Sequence, residues 1–479
     1  MRILLLNPPF QGRRYSRTSR SPAVTKSGTL YYPMWLAYAT GILEKEGFEA
    51  RLVDGPARGL SDEDIINIVK DYQPDLVVID TSTPSIYSDV KIAELIKGKV
   101  KDSFVILVGT HPSSLPEETL HLSESIDAVA KGEYDYTIRD LAETLRSGRQ
   151  LKSVSGISFR DGVGIIHNEK RPLIEDLDEI PFVSSVYKKH LRVEDYFFAA
   201  SFYPLAMIIS GRGCPFRCSF CVYPQVFHSR IYRFRSPENI ADEFEYIKNE
   251  LPKVKEIGIE DDTFTVDKRR VEKFSSDLIK RRAKIPWHVN SRADLDYETM
   301  NIMKKAGCRL LVVGYESGSQ KILDNIHKDI KLGDMIRFNE DAKRAGLLVH
   351  GCFMIGNPGE TFETLNETLR FAKRLNCDTA QFFPLMLYPG TEAYDWAKEN
   401  GYIKSKDFSD WLTNEGLHNA VLATERLSAK DLVDFCDYAR KQFYLRPNYV
   451  FYKSLKCLSS PGELIRTSRA FRSFYKHLF

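Results

Sequence analysis

A chain of 479 residues has room for two or three domains, and 43% hydrophobic residues supply sizeable cores. A net charge of +3 carries no overall nucleic-acid signal, and no run approaches the about 18 consecutive apolar residues of a membrane span. The apolar run at 3–6 is far too short for a signal peptide, and five of the eight cysteines stand singly, which argues against a disulfide framework and for a reducing, cytoplasmic compartment.

Over residues 1–150 apolar runs alternate with helical spacing. Strands are expected at 3–6, 50–53, 75–79, 104–108 and 128–130. Helices are expected at 34–46, 62–72, 85–97 and 137–145, with Gly47 and Gly98 just past two of them. A basic, Ser-rich loop, 12–27, follows the first strand. The alternation predicts an α/β fold, a doubly wound parallel sheet. Such sheets bind ligands outside the carboxyl ends of their strands. Asp54, Ser82, Thr83, Gly109, Thr110, Gly132 and Glu133 stand at those ends. Capping and turn chemistry accounts equally well for Asp54 and Thr83.

Residues 151–204 read as a linker. It opens with a hairpin, 156–167, turning at Asp161-Gly162, and continues as a charged, Pro-bounded strap. An apolar run at 205–209 then leads into Ser210-Gly211-Arg212-Gly213-Cys214-Pro215-Phe216-Arg217-Cys218-Ser219-Phe220-Cys221. Three cysteines at C-x3-C-x2-C spacing can hold a metal or cluster and leave one coordination position free. A closed structural zinc site would need a fourth ligand, for which His228 is the nearest candidate. Zinc and three buried free thiols remain the alternatives to an iron–sulfur cluster.

Beyond this loop, strands at 256–259, 287–289, 310–313, 349–355 and 379–385 alternate with helices. With 205–209 they predict a partial (β/α)6 barrel over 205–395. Their carboxyl ends carry Glu260-Asp261-Asp262, Asn290-Ser291-Arg292, Gly314, Glu316 and Gly356, where barrel enzymes keep their sites. The remainder, 396–479, reads as a helical tail. Residues 440–479 hold nine basic side chains against one acid, Glu463, interleaved with nine aromatics. Three readings fit that composition: an interfacial membrane helix, an RNA-binding segment, or a cap with its aromatics turned inward.

The C-x3-C-x2-C loop, with Phe220 before its last cysteine, resembles the radical S-adenosylmethionine (SAM) superfamily. The resemblance implies a [4Fe–4S] cluster on Cys214, Cys218 and Cys221, with SAM on the free iron position. Reductive cleavage would then give methionine and a 5′-deoxyadenosyl radical. By the same resemblance Glu260, Asp261 and Asp262 hold the methionyl amine, in place of the commoner Gly-Gly-Glu. Arg292 would pair with the methionyl carboxylate, beside Asn290 and Ser291. Glu316, after Gly314, would accept from the ribose, Phe220 would contact adenine, and Gly356 would let backbone approach the cofactor.

The first domain resembles the cobalamin-binding domain that many of these enzymes carry. Its pattern D-x-H-x-x-G places a cobalt-ligating His two residues after Asp54, where this chain has Pro56. Cobalamin would therefore bind without a protein ligand, at Asp54, Ser82, Thr83, Gly109, Thr110, Gly132 and Glu133, or be absent with the domain kept as a scaffold. The whole chain resembles the subgroup of the anaerobic magnesium-protoporphyrin ester cyclase and the hopanoid-biosynthesis radical enzymes, with Cys221-Val222-Tyr223-Pro224-Gln225 closest to the hopanoid-associated ring-forming enzyme. That subgroup implies hydrogen abstraction from a hydrophobic lipid, terpenoid or tetrapyrrole-like substrate, followed by rearrangement, ring closure or cobalamin-dependent methyl transfer. It also implies an external electron donor of the flavodoxin or ferredoxin class, while the basic, aromatic tail is what points to contact with the inner face of a membrane. An RNA-modifying radical enzyme is the rival. Those carry further cysteines in their N-terminal domain, and this chain has none before Cys214.

Overall fold

The computed structural model describes residues 1–162 and 164–475, without the side chains of Ser459, Ser473 and Phe474. Val163 of the expected hairpin, Lys476 and Phe479 of the tail, and the side chain of Phe474 lie outside the described residues.

The N-terminal sheet contains β1 (Arg2–Asn7), β2 (Glu49–Asp54), β3 (Leu76–Thr81), β4 (Phe104–Gly109), β5 (Ala128–Ala130), β6 (Ile157–Asp161) and β7 (Gly164–His167), in the order β2-β1-β3-β4-β5-β6-β7. β1 to β5 are parallel. Ile3 to Leu6 and Leu76 to Ile79 are fully buried, as expected of strands covered by helices on both faces. The expected linker hairpin extends this sheet. β6 pairs antiparallel with β5, satisfying the edge that β5 would otherwise present.

The second sheet runs β15-β14-β13-β12-β11-β8, all parallel: β8 (Leu205–Ile208), β11 (Glu256–Ile259), β12 (Trp287–Ser291), β13 (Cys308–Glu316), β14 (Leu348–Ile355) and β15 (Thr379–Pro384). A small ribbon of β9 (Gly211–Arg212) and β10 (Arg233–Phe234) follows β8. Because β8 and β15 do not pair, the barrel is open along one side. Tyrosines cap part of each free edge. The hydroxyls of Tyr32, Tyr187 and Tyr38 donate to the carbonyls of Leu205, Met207 and Ile209. On β15, the Tyr444 hydroxyl accepts from Ala380 N at 2.8 Å and donates to Ala380 O at 2.7 Å. Edge groups capped in this way are withdrawn from pairing with another chain.

Three tail helices, Ala429–Tyr444, Pro447–Ser459 and Pro461–Phe474, lie over the open side. Their inner faces bury Phe443, Tyr449 and Glu463. Glu463 accepts from Arg309 of β13 at 2.9 Å, and Arg309 also donates to Glu256 of β11. The outer faces carry Phe451 at 68% exposure and Leu458 at 84%. The tail aromatics thus divide between the two faces, and the tail is a cap with an apolar exterior. Among the described residues no helix is long and apolar enough to cross a membrane.

Candidate active site

The cysteine loop is pinned at both ends. Ser210 donates its N–H and its hydroxyl to Asp261, each at 2.6 Å. Gly213 has φ +85°, and a Cβ there would stand 2.1 Å from the carbonyl of Ile231, so only glycine fits. Its N–H donates to Asp262 at 3.0 Å. Arg212, buried, donates to Asp135 at 2.7 Å and to Glu133 at 3.3 Å, and Arg233 also pairs with Glu133. The N-terminal domain therefore buttresses the loop. Gln225 closes the cysteine turn by donating to the carbonyls of Ser219 at 3.1 Å and Cys221 at 2.9 Å.

All three cysteines face one cavity of about 760 Å³. Burial pushes the Cys214 and Cys221 thiols up, so a cation's field would be needed to ionise them there. Among the described residues no three His, Cys, Asp or Glu side chains converge on a point that would hold a single metal ion. Three thiols on one cavity wall are the protein ligands that an iron–sulfur cluster with one open iron position takes.

Opposite the thiols stands a charged rim. Glu260 accepts from Asn290 at 3.1 Å, with the imidazole of His288 at 3.7 Å and Arg20 at 3.9 Å. Burial opposes the charge of Glu260, but His288 and Arg20 outweigh it and hold the carboxyl below its ordinary range. Asp262 is likewise held down against burial, by His228 at 2.8 Å and by Arg20 at 3.6 Å. Glu316 sits at φ +63° after an irregularity in the β13–β14 register and pairs with buried Lys328 at 2.9 Å. A Cβ at Gly314 would lie 2.3 Å from a Glu316 carboxylate oxygen, so this glycine makes room for the pair. The Arg292 guanidinium lies 3.6 Å over the ring of Phe216 and donates to Lys328 O at 2.6 Å. Ser291 donates to Arg292 O. Phe220, Asn290, Ser291, Arg292, Gly314 and Glu316 all line the cavity with the thiols, Glu260 and Asp262.

Two expected cofactor contacts point elsewhere. Asp261 is spent on Ser210 beneath the loop. Gly356, at φ +105°, packs against Leu432 of the first tail helix, and its N–H donates to Glu360 rather than facing the cavity. Conversely, sequence reading passed over Arg20, Lys328, Phe216 and His288. A run of basic residues in a loop gives no sign that one of them will pair with carboxylates on a distant strand.

The strand ends of the N-terminal sheet do not open onto the cavity. Asp54 accepts from Asn7 at 2.9 Å, Ala57 N at 3.2 Å and Tyr196 at 2.8 Å, and burial raises it to about 6. Ser82 pairs with Tyr15 at 2.8 Å, and Thr83 with His111 at 3.3 Å. Gly109, at φ +116°, lies against Thr81 O, where a Cβ would come within 2.2 Å. Thr110 O accepts from Ser114, Gly132 N donates to Ser113, and Glu133 holds Arg212 and Arg233. Above them Arg17, buried, pairs with Asp89 at 2.5 Å, and Phe408 packs its ring 4.9 Å from that of His111. The polar atoms left over, Asp80 Oδ2 and His111 Nε2, are sealed beneath these side chains. In this arrangement the seven residues do not fit a corrinoid, because they are filled by the chain itself.

A model of the radical SAM superfamily matches residues 208–372, and a B12 binding domain model matches 20–142. An uncharacterized methyltransferase of Pyrococcus horikoshii is 32% identical over 448 residues, covering 93% of each chain. The anaerobic magnesium-protoporphyrin IX monomethyl ester cyclase of Rubrivivax gelatinosus is 27% identical, across 99% of this chain and 84% of its own. In fold, the chain is similar to the radical S-adenosylmethionine methyltransferase TsrM of Kitasatospora setae, solved with cobalamin and a [4Fe–4S] cluster, at a TM-score of 0.70, 17% identity, and 93% and 89% coverage. The superfamily brings a [4Fe–4S] cluster and SAM, and the B12 domain keeps cobalamin a candidate cofactor. The chain belongs to the radical SAM enzymes that carry an N-terminal B12-binding domain.

Proposed function

We propose that the enzyme cleaves SAM reductively and abstracts hydrogen from a hydrophobic substrate, of lipid, terpenoid or tetrapyrrole-like class, for rearrangement or ring formation. One observation carries this reading. A single cavity joins the thiols and the charged rim to an apolar wall that includes Phe382, Phe383, Leu385, Met386, Tyr444 and Tyr449.

The cluster, when bound on Cys214, Cys218 and Cys221, supplies the electron that breaks the sulfonium bond, delivered to it by a donor of the flavodoxin or ferredoxin class. The chain's own residues position the rest. Glu260 and Asp262 offer acceptors and negative charge to the methionyl ammonium, which would displace Arg20 from between them. Arg292, flat on Phe216, presents its remaining donors to the carboxylate. Lys328 fixes Glu316 for the ribose hydroxyls. The apolar wall beside the thiols would limit water at the reacting groups.

The test is anaerobic reconstitution with SAM and a strong reductant. The wild type should bind about four irons per chain and yield 5′-deoxyadenosine and methionine. The variant Cys214→Ala/Cys218→Ala/Cys221→Ala should do neither. Iron retained by that variant would place the cluster elsewhere and refute the assignment.

Cobalamin-dependent methyl transfer is the second reading. It is favoured by the B12-domain match and by relatives named methyltransferases, among them the Pyrococcus protein. It requires the filled strand ends to open. A corrinoid that copurifies, together with S-adenosylhomocysteine among the products, would decide for it.

A further inference from the structure

The outer face of the tail is not explained by the site. Helices Pro447–Ser459 and Pro461–Phe474 form a hairpin whose inner side closes the barrel. On the first of these, Phe451, Leu455 and Leu458 recur at i, i+4 and i+7, one helical stripe, and are 68%, 51% and 84% exposed. On the second, Leu464, Ile465 and Phe471 are 49%, 63% and 51% exposed. Monomeric proteins rarely leave so continuous an apolar face to water.

The charges decide what covers it. Lys441 and Arg472 are exposed on or beside the hairpin, and Arg469, also exposed, lies with its guanidinium 4.0 Å over the Tyr203 ring. The one acid between residues 440 and 475, Glu463, is buried and held by Arg309 at 2.9 Å and Arg466 at 3.0 Å. Among the described residues the outward face of the two helices is therefore apolar and basic, with no carboxylate. A protein partner of ordinary composition does not call for that pairing. An anionic bilayer surface does, taking apolar side chains to the depth of its headgroups and basic ones at its phosphates.

We infer that the outer face of the hairpin docks the enzyme on an anionic lipid surface. Val450 and Phe471 are half-exposed and also line the cavity, so docking sets the cavity mouth against the bilayer. That a hydrophobic substrate enters by this route rests on the function proposed above, whereas the docking itself does not.

Flotation of the full-length protein with phosphatidylcholine vesicles, with and without phosphatidylglycerol, tests the docking. Binding is expected to the anionic vesicles and should weaken with salt as the Debye length shrinks. Phe451→Ser/Leu458→Ser/Ile465→Ser should weaken it roughly tenfold or more. Arg469→Gln/Arg472→Gln should abolish the preference for phosphatidylglycerol. Both variants alter exposed side chains, so iron content and SAM cleavage should match the wild type, which separates failure here from failure of the reaction assigned to the cavity. The inference is overturned if the wild type ignores anionic vesicles or if the triple serine variant binds as well as the wild type. It is also overturned if sedimentation shows a dimer that the triple variant disperses, since a second copy would then own the face.

Discussion

His288 of β12 is fully buried between two carboxylates, Glu256 at 2.9 Å and Glu260 at 3.7 Å. Burial alone would lower its pKa, but the two carboxylates outweigh it and raise the imidazole above its ordinary 6.5. The folded state therefore holds a proton that the unfolded chain releases sooner. Stability from this group is complete below pH 6.5 and is lost as the pH climbs through the raised value. His288→Gln should flatten that alkaline slope in melting temperature. It should also destabilise the protein by about 3 kcal/mol at neutral pH, because two buried carboxylates lose a shared cation. An unchanged slope in the variant would show that the titration belongs to another group.

Among elements, the cysteine loop is the one whose backbone is least replaceable. Gly213→Ala forces a Cβ onto Ile231 O and strains a left-handed φ, at a cost of about 1–3 kcal/mol. Because β9 and β10 meet at that point, the expected outcome is loss of iron binding in a chain that still folds, read by iron content beside far-ultraviolet circular dichroism. Full iron occupancy in Gly213→Ala would mean the loop can be built another way. The same loop shows what sequence pattern carries and what it does not. The parallel strands of both sheets are legible because burial on two faces makes them near-continuous apolar runs. The C-x3-C-x2-C spacing is legible because its chemistry is local. The loop at 12–27 reads only as basic and Ser-rich, yet Arg17 and Arg20 are spent in ion pairs and hydrogen bonds with residues 72 and 240 positions away. Asp54 and Glu133 read as ligand-facing strand ends, and the structure gives both to Tyr196 and the arginines, since spacing cannot show which partner reaches a polar end first.

At the scale of the whole molecule, the tail completes a barrel that is otherwise open. Truncation after Arg440 would remove Tyr444 from β15 and Glu463 from Arg309, leaving a free strand edge and a less compensated buried guanidinium. The shortened protein should aggregate or lose several degrees in melting temperature, measured against the full chain by light scattering and calorimetry. A truncated protein as stable as the full one would reduce the tail to its outer face. The composition of 440–479 announces a tail with two characters, apolar and basic, but the partition between inner and outer face depends on which residues meet β15.

The contacts of Glu133 and Asp135 with Arg212, and of Arg20 with Glu260 and Asp262, make the two sheets one working unit. A chimaera that grafts the N-terminal domain of a relative onto this barrel would have to transplant both acids and the Arg20 loop to keep the thiols in place. The first domain thereby has a structural task, holding the thiols in place, beside the cobalamin that its B12-binding match keeps as a candidate.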